Sequence, residues 1–169
     1  MPKNNYNKKD YTIAQIAYLA GVIDGEGSIY IGNFSCNPKT GAKYYQTNME
    51  VTNSSKELID FLVNTFGGLV NQYTENQSPK NGRKPYWRWI ATGERLNHLC
   101  ELILPYLTAK TKQCEIMLKM RATYTAQGKG PSCKGKSGVQ AHPKELLDYR
   151  QSLMDEMQSL HCRNYNNPN

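Results

Sequence analysis

Leu19-Ala20-Gly21-Val22-Ile23-Asp24-Gly25-Glu26-Gly27 is the stretch around which this chain is organised. Leading into it and through it, Ile13, Ile16, Ala17, Ala20, Gly21 and Ile23 recur at helical spacing behind Thr12, a suitable N-cap. The spacing predicts a helix that stops near Asp24–Gly25, where Gly-Glu-Gly breaks it. That helix ends in two carboxylates, Asp24 and Glu26. A helix C-terminus carries partial negative charge, so acids there oppose the helix and become candidates for function. A divalent cation would offset the repulsion, since Mg²⁺ takes one or two carboxylates together with phosphate oxygens and water. An acidic pair after a helix is weak evidence on its own. Ala17, Ala20, Gly21 and Asp24 also lie close together on the helix. Small residues there allow two backbones to approach closely, and packing within the chain accounts for them equally well.

Outward from this helix, hydrophobic alternation takes over. Ser28 to Phe34 reads as a strand, with Ile29 and Ile31 on one face and Tyr30 and Gly32 on the other. After the turn residues Asn37 to Gly41, a second strand runs from Tyr44 to Thr52. Ser54-x-x-Glu57 is a capping-box pattern ahead of a second helix, which Gly67-Gly68 ends. Leu69 to Glu75 and Tyr86 to Thr92 form another strand pair around the polar loop Asn76 to Pro85. Helices are expected over Glu94–Leu104 and Lys110–Ala126, and from Pro143, at a first helical position, to Leu160. Gly128 to Ala141 reads as a loop or poorly ordered stretch, and Asn164 to Asn169 as a disordered tail. The expectation is an α+β fold: an αββαββα core with one four-stranded antiparallel sheet, helices on one face, and further C-terminal helices. One domain spans 1–169, with its core at about 11–126.

Composition bounds the function. The 169 residues carry 21 Lys+Arg against 14 Asp+Glu, a net +7. That suits a polyanionic partner, although a merely basic soluble protein would show the same balance. The apolar share of 38% lies below the typical ~45–50%, so the core is modest or the polar surface large. No apolar run is long enough to span a membrane. Met1 to Asp10 is polar with no apolar segment of signal-peptide length after it, so secretion is not expected. Cys36, Cys100, Cys114, Cys133 and Cys162 show no C-x-x-C spacing, which disfavours a disulfide framework and a structural zinc site. Reduced thiols in an intracellular protein are expected. His98, His142 and His161 show no metal spacing either.

The nine-residue stretch closely resembles the signature of the LAGLIDADG homing endonucleases, with conservative changes at Val22, Gly25 and Glu26. The resemblance extends to the element order, to Val51-Thr52-Asn53 and to Pro105-Tyr106-Leu107 followed by Lys110. It covers roughly Tyr11 to Met120 and contains the signature once. In that family a single copy implies a homodimer whose signature helices pack together, which favours Ala17, Ala20, Gly21 and Asp24 as the dimer contact. The resemblance makes Glu26 the ligand of the catalytic Mg²⁺ (or another divalent ion such as Mn²⁺), one from each protomer. Its extra methylene, relative to the commoner Asp, shifts the carboxylate. Asp24 matches a position that ties the adjoining helix. Lys110 matches a basic residue near the scissile phosphate, where it would stabilise transition-state charge or tune an attacking water. Asn53 matches a polar residue that places water, or else simply precedes the helix cap. The implied chemistry is hydrolysis of double-stranded DNA at a long pseudo-palindromic site on the host genome, with no small-molecule substrate and no membrane. No Cys is expected to act as a nucleophile.

Recognition would fall to the bare side of the sheet, where the fold forms a saddle on DNA. Only one parity of each strand can face the duplex. The expected set is Ser28, Tyr30, Tyr44, Gln46, Asn48 and Glu50 on the first hairpin, and Asn71, Tyr73, Tyr86 and Arg88 on the second. Trp87 and Trp89 share the other parity and are better buried, the competing choice being a tryptophan face stacked on single strands. Lys43, Arg83 and Lys84, near the hairpin loops, would touch phosphates. Two other functions fit the same scaffold: an intron RNA maturase, and a DNA-binding protein without cleavage chemistry.

Overall fold

The computed structural model describes residues 9–37, 42–73, 85–125 and 143–161. The elements follow in the expected order. Helix α1 (Ile13–Glu26) leads into strands β1 (Gly27–Asn37) and β2 (Ala42–Asn53). Helix α2 (Lys56–Phe66) then precedes β3 (Leu69–Tyr73) and β4 (Tyr86–Ala91). Helix α3 (Gly93–Ile103) continues as a 3-10 turn, Leu104–Tyr106, and helices α4 (Thr111–Thr125) and α5 (Lys144–His161) follow. Residues 38–41, 74–84, 126–142 and 162–169, on which the expected turn, loops and tail fall, lie outside the described residues.

Local chemistry explains the boundaries. Thr12 caps α1 through a full capping box: its side chain accepts the Gln15 N–H at 3.2 Å, and Gln15 Oε1 accepts the Thr12 N–H at 3.0 Å. The cap of α2 is Ser55, not Ser54: Ser55 Oγ accepts the Leu58 N–H at 3.3 Å. Asn53 selects between the two serines, because its Oδ1 accepts the Ser55 N–H at 2.8 Å and turns the chain into the helix. Gly67 (φ +69°) and Gly68 (φ +113°) end α2 in conformations that favour glycine. Pro143 stands just ahead of α5, not inside its first turn, and its carbonyl accepts the Leu146 and Leu147 N–H groups.

The sheet order is β1-β2-β4-β3. Antiparallel pairing sets Glu50 opposite Ile90, Val51 opposite Trp89 and Thr52 opposite Arg88. On the far side of β4, Leu69 faces Ile90, Asn71 faces Arg88 and Tyr73 faces Tyr86. Partners across a ladder share a face, so Glu50, Thr52, Arg88, Tyr86, Asn71 and Tyr73 lie on one side. Met49, Val51, Trp89 and Ala91 lie on the other and are fully buried.

Compact units form within Met1–Ile29 with Asn48–Thr111, and within Tyr30–Thr47 with Lys112–Asn169. In the first, α2 packs on β4 and β3, and α1 packs on α3 and the 3-10 turn. Leu19, Ile23, Ile59, Leu62, Phe66, Leu96, Leu99 and Ile103 are buried there, each contributing about 1.5–3 kcal/mol of apolar burial. Trp89 is pinned as well as buried, its Nε1–H donating to the Gly67 carbonyl at 2.6 Å. In the second unit Cys114, Ile116, Met117, Met120, Leu153, Met154 and Met157 are buried. The Tyr124 hydroxyl donates to the Tyr45 carbonyl at 2.8 Å, and Tyr45 Oη donates to Gln151 Oε1 at 3.1 Å. Among the described residues no helix is long and apolar enough to cross a membrane.

Candidate functional site

The signature helix runs further than its glycines suggest. It continues through Gly25 to Glu26 and is capped by Gly27, whose N–H donates to the Ile23 and Val22 carbonyls. A side chain at Gly27 would place a Cβ 2.7 Å from Ile23 Cα, so the position requires glycine. Asp24 and Glu26 then part company. Asp24 is half-buried, its Oδ2 accepting the Thr108 N–H at 2.6 Å and its Oδ1 the Lys110 N–H at 2.9 Å. The Lys110 ammonium returns to the helix and donates to the Ile23 and Asp24 carbonyls at 2.8 and 2.7 Å. No basic residue lies in the last turn of α1, so Lys110 supplies from afar the positive charge that the helix terminus favours. Burial pushes the Lys110 amine below the ordinary lysine range, against the opposing pull of Asp24 and then Glu26. Glu26 is exposed and makes no hydrogen bond to a described residue. The electrostatic oddity seen in the sequence therefore belongs to Glu26 alone, because Asp24 faces two N–H donors.

The open sheet face gathers Glu50, Asn71, Tyr73, Tyr86 and Arg88 as parity predicts. The rings of Tyr73 and Tyr86 stack at 4.9 Å with an 11° interplanar angle. Arg88 lies over Tyr73, its guanidinium carbon 5.1 Å from the ring centre, and donates to the Tyr73 hydroxyl. Arg88 Nη1 stands 3.9 Å from Glu50 Oε2. Ser28 and Tyr30 are half-buried and Gln46 is exposed. Asn48 departs from expectation: it has the open-face parity yet is only 3% exposed. Parity selects a face of the sheet and does not say what covers it. Thr52, exposed and opposite Arg88, belongs to the same face and was absent from the expected set, although its even number places it there. Trp89 is buried as expected, while Trp87 is only partly so. The side chains of Lys43 and Tyr44, together with Arg83 and Lys84, lie outside the described residues.

Residues 19–120 match the family model described as LAGLIDADG endonuclease. The chain belongs to the LAGLIDADG endonuclease family. Comparison with curated protein sequences gives no match. Among solved structures it is similar to the homing endonuclease I-CvuI in complex with its target in the presence of Ca, with a TM-score of 0.67 and 18% identity. That match covers 92% of this chain and 87% of that one. The archaeal intron-encoded homing endonuclease I-Vdi141I, complexed with DNA, matches with a TM-score of 0.67 and 14% identity over 92% of this chain and 89% of that one. The LAGLIDADG homing endonuclease I-SmaMI, bound to cleaved DNA, matches with a TM-score of 0.62 and 15% identity, over 93% of this chain but only 48% of that one. At these identities the likeness speaks for the LAGLIDADG fold.

The outer face of this LAGLIDADG helix differs from the one expected in two residues. Ala20 is fully buried and packs into its own core, and Asp24 is engaged within the chain. The face that remains open carries Ala14, Ala17, Tyr18, Gly21 and Gly25. A Cβ at Gly21 or Gly25 would meet nothing within 4 Å. Each glycine costs a helix interior about 1 kcal/mol relative to alanine, and no contact with the described residues of the protomer requires it. Among the described residues no group of three His, Cys, Asp or Glu side chains is arranged to hold a metal ion. Glu26 is a hard oxygen donor of the kind Mg²⁺ accepts, exposed and hydrogen-bonded to no described residue, whereas both Asp24 oxygens already accept N–H groups. Asn53 is placed in the turn before α2, with its Oδ1 engaged.

Proposed function

We propose that this chain is a metal-dependent homing endonuclease that cleaves double-stranded DNA as a homodimer. The observation that carries the proposal is Glu26: a carboxylate hydrogen-bonded to no described residue, at the end of a helix whose exposed face carries Ala14, Ala17, Tyr18, Gly21 and Gly25. Two such faces packed together would bring two Glu26 carboxylates to one place, a gathering of acids that the described residues of one chain do not make. The relatives support this. I-CvuI and I-Vdi141I are near this chain in length, while the chain spans about half of I-SmaMI, which leaves that protein room for two such units.

Glu26 from each protomer would hold Mg²⁺ or Mn²⁺, and the bound ion would supply Lewis-acid activation of the phosphodiester and a more acidic water. The remaining steps belong to the protein. Lys110 has three N–H donors and spends two on α1 carbonyls, which leaves one for a phosphate oxygen as negative charge builds. Because the ammonium is anchored before DNA arrives, it needs little reorganisation. The open sheet face would lie in the major groove, and the excess of Lys and Arg would make binding strongly salt-dependent. The protein would act inside the cell, on the host genome.

The test uses the DNA that flanks the reading frame, joined as it is without the frame. Incubation with Mg²⁺ should cut both strands, and Glu26→Gln should abolish cutting while sparing binding. A folded dimer that leaves this DNA whole, or a Glu26→Gln protein that still cuts it, would overturn the proposal.

A further inference from the structure

We propose that Glu50 and Arg88 jointly read a single G·C base pair, once in each half-site. This rests on the DNA-binding reading above and adds the base that one part of the sheet selects. The two residues sit diagonally on neighbouring strands: Glu50 is opposite Ile90, and Arg88 is opposite Thr52. Arg88 Nη1 lies 3.9 Å from Glu50 Oε2, too long for a hydrogen bond but close enough for mutual attraction. From the other side Tyr73 holds the guanidinium by its hydroxyl and its ring face, and Tyr86 backs Tyr73. The fork is thus steadied from two sides before any ligand binds, which lowers the entropy lost on recognition. Arg88 Nε, shielded from solvent, has no acceptor among the described residues, so the free state leaves the guanidinium incompletely satisfied.

Glu50 gives the pair its meaning. A carboxylate on a DNA-facing sheet is repelled by phosphates, and besides its attraction to Arg88 it is compensated in the groove by a base donor. In the major groove guanine offers N7 and O6 as adjacent acceptors, and its partner cytosine offers the N4 amino donor beside them. An arginine fork suits the first two and a neighbouring carboxylate suits the third. An A·T pair breaks that order: the adenine amino group stands where the fork needs an acceptor, and thymine O4, itself an acceptor, stands where the carboxylate needs a donor.

The experiment selects binders from a library of random duplexes with the full chain in Ca²⁺, for wild type and for Glu50→Gln, Arg88→Gln and Arg88→Lys. All three variants should relax the same G·C position by about tenfold and leave the other positions unchanged. Arg88→Lys keeps the charge without the fork, and circular dichroism checks each fold. Relaxation at different positions, at an A·T position, or nowhere, overturns the inference while leaving DNA binding intact. A folded wild-type protein that enriches no sequence overturns it together with the functional reading beneath it.

Discussion

Asp24 and Lys110 are joined twice: the Lys110 backbone N–H donates to Asp24 Oδ1 at 2.9 Å, and the Lys110 ammonium donates to the Asp24 carbonyl at 2.7 Å. With the Thr108 N–H on Asp24 Oδ2, these bonds tie the end of the signature helix to the segment that starts α4. Asp24→Ala should therefore destabilise the protein by roughly 1–3 kcal/mol, since two N–H donors lose a charged acceptor. Asp24→Asn should do little better, because its amide presents a donor to one of those N–H groups. Urea unfolding midpoints check both variants, and an unchanged midpoint would mean that water replaces the carboxylate.

Gly21 separates the needs of the protomer from those of a dimer. Within one chain Gly21→Ala meets no atom within 4 Å and should favour the helix by up to about 1 kcal/mol. Across a packed helix pair the same methyl group overfills the contact and should weaken self-association by about tenfold. Sedimentation equilibrium reads the second effect. Urea unfolding at concentrations low enough to keep the protein monomeric reads the first. Equal self-association of variant and wild type would remove this face from the dimer.

Most short-range chemistry was legible in the sequence, although the α2 cap was placed one residue early at Ser54, and long-range chemistry was not. Thr12 marks the start of α1 on its own, because its contacts with Gln15 span only three residues. Its end was misplaced because the bonds that sustain it come from Lys110, 86 residues from Asp24. A single Gly25 cannot end a helix whose last carbonyls have found donors. Strand parity separated Arg88 from Trp89 correctly, since alternation is built into the backbone. Burial of Ala20 and Asn48 depends on what packs above them, and no local pattern records that. Arg150 drew no notice in the sequence, yet it is 3% exposed, with its guanidinium on Thr123 Oγ1 and Thr123 O.

Trp89 and Gly68 form a lock that should fail from either side. The indole donates to the Gly67 carbonyl at 2.6 Å, so Trp89→Phe removes that bond and leaves a small cavity. A loss of about 2–4 kcal/mol is expected. Gly68→Ala should cost a similar amount, because its Cβ would lie 2.7 Å from both the Ile90 carbonyl oxygen and Trp89 Nε1, at φ +113°. The two sites are in contact, so the double variant should lose less than the two single losses combined. Chemical unfolding of the three proteins decides this, and additive losses would show that Gly68 acts through the Ile90 carbonyl and backbone strain, without Trp89.

Tyr124 should make stability fall in alkali. Its hydroxyl donates to the Tyr45 carbonyl at 2.8 Å, and its ring lies 4.3 Å from the Arg150 guanidinium carbon. Burial raises the Tyr124 pKa above the ordinary phenol value, although Arg150 and Arg121 pull it down. Tyr45 is raised as well, by burial and then by Asp155. A phenol raised in the folded state ionises first in the unfolded chain, near pH ~10. Its contribution is therefore complete below that pH and is lost as pH rises through the folded-state value. Tyr124→Phe should cost about 1 kcal/mol at neutral pH through the lost hydrogen bond. It should also flatten the decline above pH ~10, because one of the two raised phenols is gone. Urea midpoints of wild type and variant from neutral to alkaline pH test this. Curves that stay parallel throughout would show that Tyr124 does not couple protonation to folding.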